Sequence, residues 1–115
     1  MPRTPQEIFQ HHASALMAGD LEELVTDYTD DSVFITAQGV LRGKDGAREA
    51  FRKVLGDLPE ATWDVPVQIF EGDVLFIEWS AVSKERRARD GADTFVFDGD
   101  SIRVQTVRYS LEDTA

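Results

Sequence analysis

Two hydrophobic periods divide the chain. In its first half apolar residues return every three or four positions, interrupted by the short run VFIT; from Trp63 onward they return at every second position. Thr4, Pro5 and Glu7 predict a helix start, with Thr4 and Glu7 able to cap each other's backbone N–H groups and Pro5 placed where its missing donor does no harm. Ile8, Phe9, His12, Ala15 and Leu16 then form one inward stripe, and Gly19 is suited to the left-handed stop. His12 lies on that stripe and His11 beside it. Asp20 caps a second helix whose apolar side is Leu21, Leu24, Val25 and Tyr28, followed by an acidic turn, TDDS. VFIT reads as a strand, and AQGVLRG as a turn into the next. A third helix over GKDGAREAFRKVL takes Asp45 as its cap, buries Ala47, Ala50, Phe51, Val54 and Leu55, and ends at Gly56 and Pro59.

In the second half Trp63, Val65, Val67 and Ile69 alternate with Asp64, Pro66 and Gln68. EGD turns the chain into VLFIEWSAV, where Leu75, Ile77, Trp79 and Ala81 share one face and Val74, Phe76, Glu78 and Ser80 the other. SKERRARDGA reads as a loop, DTFVF as a strand, and DGD as a hairpin into SIRVQTVRYSL. Helices first and an antiparallel meander afterwards predict an α+β domain in which helices cover one face of a curved sheet. One position breaks the apolar rule: Asp93 shares a face with Phe95 and Phe97. Either the strand end meets water there, or a carboxyl is set into an apolar pocket.

The 115 residues suffice for a single domain over 1–115, with no room for a second. Twelve basic against 22 acidic residues leave a net charge of −10, which repels phosphates and anionic headgroups, so neither nucleic acid nor membrane is an expected partner. Without cysteine there is no disulfide, thiolate nucleophile or cysteine-type zinc site. The opening MPRTPQEIFQ has no secretory apolar run, and no stretch of about 18 apolar residues occurs, so a cytoplasmic location is expected. Phosphate-loop, dinucleotide, HExxH and GxSxG motifs are absent. The two histidines are adjacent on one helix and diverge by about 100°, so no metal site is expected.

What remains is a scattered set: His12 and Asp93, with Thr36, Trp79, Gln105 and Tyr109 as companions. Each has a structural alternative. A histidine on a helical apolar stripe also serves as a core group bonded to a carbonyl, and Asp93 can be solvated at a strand end. Trp79 and Tyr109 can be packing groups whose polar tips find partners, Gln105 a solvent-facing strand residue, and Thr36 an ordinary β-branched one. Arg86, Arg87 and Arg89 form either an anion clamp or a solvated loop, and Glu22, Glu23, Asp27, Asp30 and Asp31 an exposed acidic face. Burial would raise the pKa of Asp93 and lower that of His12, whereas attraction between their ionised forms opposes both. If burial wins, neutral Asp93 donates a hydrogen bond and neutral His12 accepts a proton. If attraction wins, they form an ion pair.

HHASALMAGDLEELVTDYTDDSVFITAQG resembles the start of the ketosteroid isomerases and of the wider SnoaL-like and nuclear transport factor 2-like (NTF2-like) families. GKDGAREAF and DTFVFDGDSIRVQTVRY resemble their third helix and final hairpin. The resemblance implies a cone-shaped NTF2-like fold, with three N-terminal helices packed on a strongly curved, mainly antiparallel sheet around an apolar cavity, in a homodimer. It puts His12 at the isomerases' oxyanion-hole tyrosine, Asp93 at the protonated acid beside it and Thr36 at the proton-abstracting carboxylate. A threonine hydroxyl is too weak a base for that step near neutral pH. The expectation that follows is SnoaL-like acid/base chemistry through an enol or enolate, cyclisation or isomerisation of a small apolar carbonyl compound. His12 and Asp93 are its catalytic pair, Trp79, Phe95 and Phe97 its cavity wall, and no cofactor is needed. The alternatives are a non-catalytic binder of a hydrophobic metabolite and a dimeric interaction module. For the dimer, Val74, Phe76, Val96 and Val104 mark the outward sheet face.

Overall fold

The computed structural model describes residues 3–114. Helix α1 (Pro5–Ala18) begins with the reciprocal Thr4–Glu7 capping box and stops at Gly19, whose φ of 66° is left-handed. A short α2 (Leu21–Val25) follows, capped by Asp20, which accepts from the Glu23 backbone N–H. Strands β1 (Tyr28–Thr36) and β2 (Gly39–Arg42) lead into α3 (Gly43–Asp57). Strands β3 (Thr62–Glu71), β4 (Val74–Val82), β5 (Arg86–Asp98), β6 (Ser101–Arg108) and a two-residue β7 (Glu112–Asp113) complete the chain. The strands form a curved, open sheet in the order β2-β1-β6-β5-β4-β3, with β7 paired to the start of β5.

All pairings are antiparallel except one. β1 runs parallel to β6, and this pairing joins the front hairpin to the later meander. Ile8, Phe9, Phe51 and Val54 from the helices and Leu75, Ile77, Trp79, Phe95, Phe97 and Ile102 from the sheet make one continuous core. Apolar side chains alternating along β4 and β5 therefore build the floor of the interior, and α1 and α3 its roof.

Several expectations are corrected. Tyr28 starts β1 instead of closing α2, and the TDDS segment is strand, because the Asp27 carbonyl accepts from Ile102 N–H (2.8 Å) and Ser32 Oγ donates to the Ile102 carbonyl (2.6 Å). Its acids are accommodated at a shift of register between Tyr28 and Val33. Arg86 to Asp90 are strand residues, not a loop. Ala88 and Gly91 point inward while Arg86 and Arg89 stay exposed, and Ala81 pairs with Ala88. Arg89 bonds both carboxylate oxygens of Glu112 on β7 (2.8 and 2.9 Å), so it is not free to act as a clamp. Asp45 does not cap α3; Arg42 occupies the cap position without a side-chain bond, and Asp45 accepts from Arg48. Along β3 a register shift between Asp64 and Val67 turns Phe70 inward and leaves Ile69 exposed. Asp27, expected on an acidic surface, is completely buried.

Candidate active site

α1 lowers His12 into the interior, where the ring is 3% exposed and lies among Phe9, Phe51 and Phe95, with ring centroids 6.0, 5.3 and 5.3 Å away. The alternation along β5 turns Asp93 toward the same interior, and it is 7% exposed. It lies mid-strand, between Ile77 on β4 and Val107 on β6, not at a solvated end. Both groups line a hollow of about 40 Å³, together with Phe9, Trp63, Ile77 and Trp79.

Asp93 is held at both oxygens. Trp79 Nε1–H donates to Oδ1 (2.9 Å) and Gln105 Nε2–H to Oδ2 (3.1 Å). The far end of the Gln105 amide, Oε1, accepts the Tyr28 hydroxyl proton. Because that proton is committed, the Tyr28 oxygen is left as an acceptor facing His12 Nδ1 across a long 3.5 Å contact. The contact is favourable only if Nδ1 carries the hydrogen, which makes Nε2 the bare nitrogen. Nε2 has no protein partner among the described residues, yet it is not sealed in, since Arg87 Nε is the only fully buried side-chain nitrogen or oxygen there without one. His12 thus presents a lone pair to the hollow. A chain of donors runs from the imidazole through Tyr28 and Gln105 to the carboxyl.

Burial dominates the electrostatics. It pushes the Asp93 carboxyl up to about 7, against the pull of the Trp79 and Gln105 N–H groups, which favour the ionised form. Burial, aided by the charge on neighbouring His11, lowers His12 to about 3. The phenol of Tyr28 is raised well above its ordinary value, by burial first and then by Asp27 and Asp93. Among the described residues no hydrogen bond or ion pair joins His12 to Asp93, so of the two electrostatic outcomes open from sequence, desolvation prevails. The hollow holds a neutral base beside an acid poised to be neutral.

The remaining candidates divide. Gln105 is fully buried at the centre of the network, not solvent-facing, and Trp79 both lines the hollow and anchors Asp93. Phe95 and Phe97 are core residues stacked on one another, and Phe95 supports the His12 ring from behind. Thr36 and Tyr109 belong to a neighbouring depression, where Thr36 Oγ1 accepts from Gln38 N–H and Tyr109 donates to Asp57 (2.7 Å). Tyr28 was missed because its spacing from Leu24 and Val25 mimics a helix. The outer face of α1 holds a second structure that its charge pattern conceals. His11 Nδ1 meets buried Asp27 (2.7 Å), which also accepts from Arg3 (2.9 Å), and His11 Nε2 meets Glu23 (2.6 Å). These two acids raise the pKa of His11.

The three-helix α+β fold with a curved, open sheet matches solved NTF2-like structures. The model of the SnoaL-like domain matches residues 9–105, and the protein belongs to that family. Among solved structures, a SnoaL-like protein from Burkholderia thailandensis E264 is 21% identical with a TM-score of 0.73, covering 95% of this chain and 99% of its own. An NTF2-like protein from Burkholderia xenovorans LB400 is 20% identical with a TM-score of 0.78, covering 92% and 82%. A protein with a ketosteroid isomerase-like fold from Catenulispora acidiphila DSM 44928, solved in complex with trimethylamine, is 18% identical with a TM-score of 0.73, covering 90% and 85%. Likeness at these identities establishes the fold alone. Comparison with curated proteins gave no significant match.

Proposed function

We propose that the protein is a cofactor-independent acid/base enzyme acting on a small carbonyl compound through an enol or enolate, as in an isomerisation or cyclisation. One observation carries this reading: a bare imidazole nitrogen and a carboxyl with a pKa of about 7 face the same apolar hollow. His12 Nε2 takes a proton from the carbon next to the carbonyl. Protonated Asp93 donates to the carbonyl oxygen as negative charge builds there, held in place by Trp79 and Gln105. His12 replaces Thr36 as the base, because Thr36 lies in the adjoining depression and lacks basicity. The neighbour holding trimethylamine is consistent with small organic molecules entering this kind of fold.

The test is exchange of solvent deuterium into enolisable ketones. Exchange by the parent protein is expected to fall as pH rises through about 7, where Asp93 ionises. Removing the donor with Asp93→Ala should lower the rate by about 10²–10³, and His12→Gln should lower it through loss of the proton acceptor, with circular dichroism confirming that both variants fold. Saturable ligand binding with no exchange would replace this reading with that of a non-catalytic binder.

A further inference from the structure

The hollow beside His12 and Asp93 is small, at about 40 Å³. A substrate larger than this hollow extends beyond it. Next to it is a depression of about 520 Å³, bounded by Phe34, Thr36 and Leu41 from the β1–β2 hairpin, by Ala50 of α3, and by Tyr109 and Leu111 beyond β6. Val54 and Val107 belong to the walls of both spaces. One comes from the helix roof and the other from the sheet floor, so what divides the spaces at these positions includes two isopropyl groups from opposite layers. The ring of Tyr109 on the outer side lies 5.4 Å from that of Trp79 on the inner side.

Charge decides what the depression can hold. Its two cations are already engaged, Lys53 with Asp57 (2.7 Å) and Arg108 with Asp90 (3.2 Å), and Glu49 adds an acid. The hydroxyls of Thr36 and Tyr109 have internal partners too. With a net charge of −10 on the chain, an anionic group would be repelled without finding a free cation there. An uncharged hydrocarbon segment meets no such penalty and gains from removal of its surface from water.

We propose that the outer depression is the tail-binding half of a divided substrate site, and that the substrate is an uncharged ketone bearing an aliphatic tail. Its carbonyl end passes between Val54 and Val107 into the hollow, and its tail remains outside against Phe34, Leu41 and Ala50. This assignment rests on the acid/base reading for its inner end only.

The experiment uses acetone and its longer methyl-ketone homologues up to methyl hexyl ketone, followed in parallel by deuterium exchange and by quenching of Trp63 and Trp79 fluorescence. Apparent kcat/KM and affinity should each rise by about fourfold per added methylene until the tail fills the depression. Ala50→Phe, which obstructs the outer space, should flatten the dependence on chain length. Leu111→Trp is a second obstruction, at a more exposed position, should Ala50→Phe fail to fold. Exchange that ignores chain length, or a dependence that persists in both obstructed variants, overturns the divided site and leaves the inner chemistry standing. If no ketone exchanges, the acid/base reading fails, and the affinity series alone decides the depression: a rise with chain length that the obstructions abolish supports it, and a flat series overturns it.

Discussion

His12 and Asp93 oppose each other in their effect on stability. Asp93 has its folded pKa raised from 3.8 to about 7, so the folded state binds more protons than the unfolded one in that interval, and its contribution to stability falls as pH rises from about 4 to 7. His12 has its folded pKa lowered from 6.5 to about 3; the unfolded chain then binds more protons, and its contribution is present above 6.5 and lost as pH falls toward 3. From about 4 to 6.5 the two slopes cancel. Urea denaturation across that range should therefore show opposite trends in two variants: the stability of parent minus His12→Gln should increase with pH, and that of parent minus Asp93→Asn should decrease. Each slope approaches about 1.4 kcal/mol per pH unit in mid-range. Parallel profiles for parent and both variants would show that neither group has its folded titration displaced.

The same pair shows what sequence does and does not reveal about a site. Asp93 stood out because strand alternation put a charge among phenylalanines, and His12 because helical spacing put an imidazole on an apolar stripe. Tyr28 and Asp27 did not stand out, since their surroundings are made by distant chain. Tyr28 continues the helical spacing of Leu24 and Val25, but pairing with Ile102 on β6 draws it into a strand. Asp27 sits in an acidic run, yet Arg3 and His11 from the opening segment bury and neutralise it.

Between elements, these long-range contacts form two rungs of equal spacing. His11 meets Asp27 and His12 meets Tyr28, so an outer ionic contact ties α1 to the entry of β1 beside the inner contact that orients the imidazole. A second such dependence joins β4 to β5. Gly91 pairs with Trp79, and a Cβ at position 91 would lie 2.2 Å from the indole carbons Cδ2 and Cε2. Glycine is required there because the indole that holds Asp93 lies flat against the neighbouring backbone. Gly91→Ala should displace Trp79, break its bond to Asp93 and cost about 1–3 kcal/mol by overpacking. Denaturant unfolding and the wavelength of tryptophan emission measure both effects, and unchanged values in the variant would mean that the strands part to admit the methyl group. In the sequence, this glycine was legible only as part of a loop, since charged neighbours on both sides hid the inward alternation of Ala88, Gly91 and Asp93.

Over the whole molecule, no helix among the described residues covers the sheet's convex face. Register aligns Ile69, Phe76, Thr94, Thr106, Ile35 and Val40 in one row across β3, β4, β5, β6, β1 and β2, and Val74, Val96, Val104 and Val33 in a second. Ile69 is 59% exposed and Phe76 38%, although strand periodicity alone would have sent Ile69 inward. Six strands spaced by about 4.8 Å span about 24 Å, and nine residues of β4 extend about 30 Å. The outline of this face is roughly 700 Å², shared between the apolar rows and polar residues such as Glu78, Thr94 and Thr106, against the area of about 800 Å² per partner that specific interfaces bury. The two apolar rows on this face favour a second copy packed sheet to sheet, against the repulsion between two chains of net charge −10, with the helices left outward. Light scattering is expected to give twice the chain mass for the parent and the monomer mass for Phe76→Glu, since a carboxylate at the centre of the face would be stranded in both copies. A parent that is monomeric at high concentration, or a variant that remains dimeric, would remove this face from the assembly.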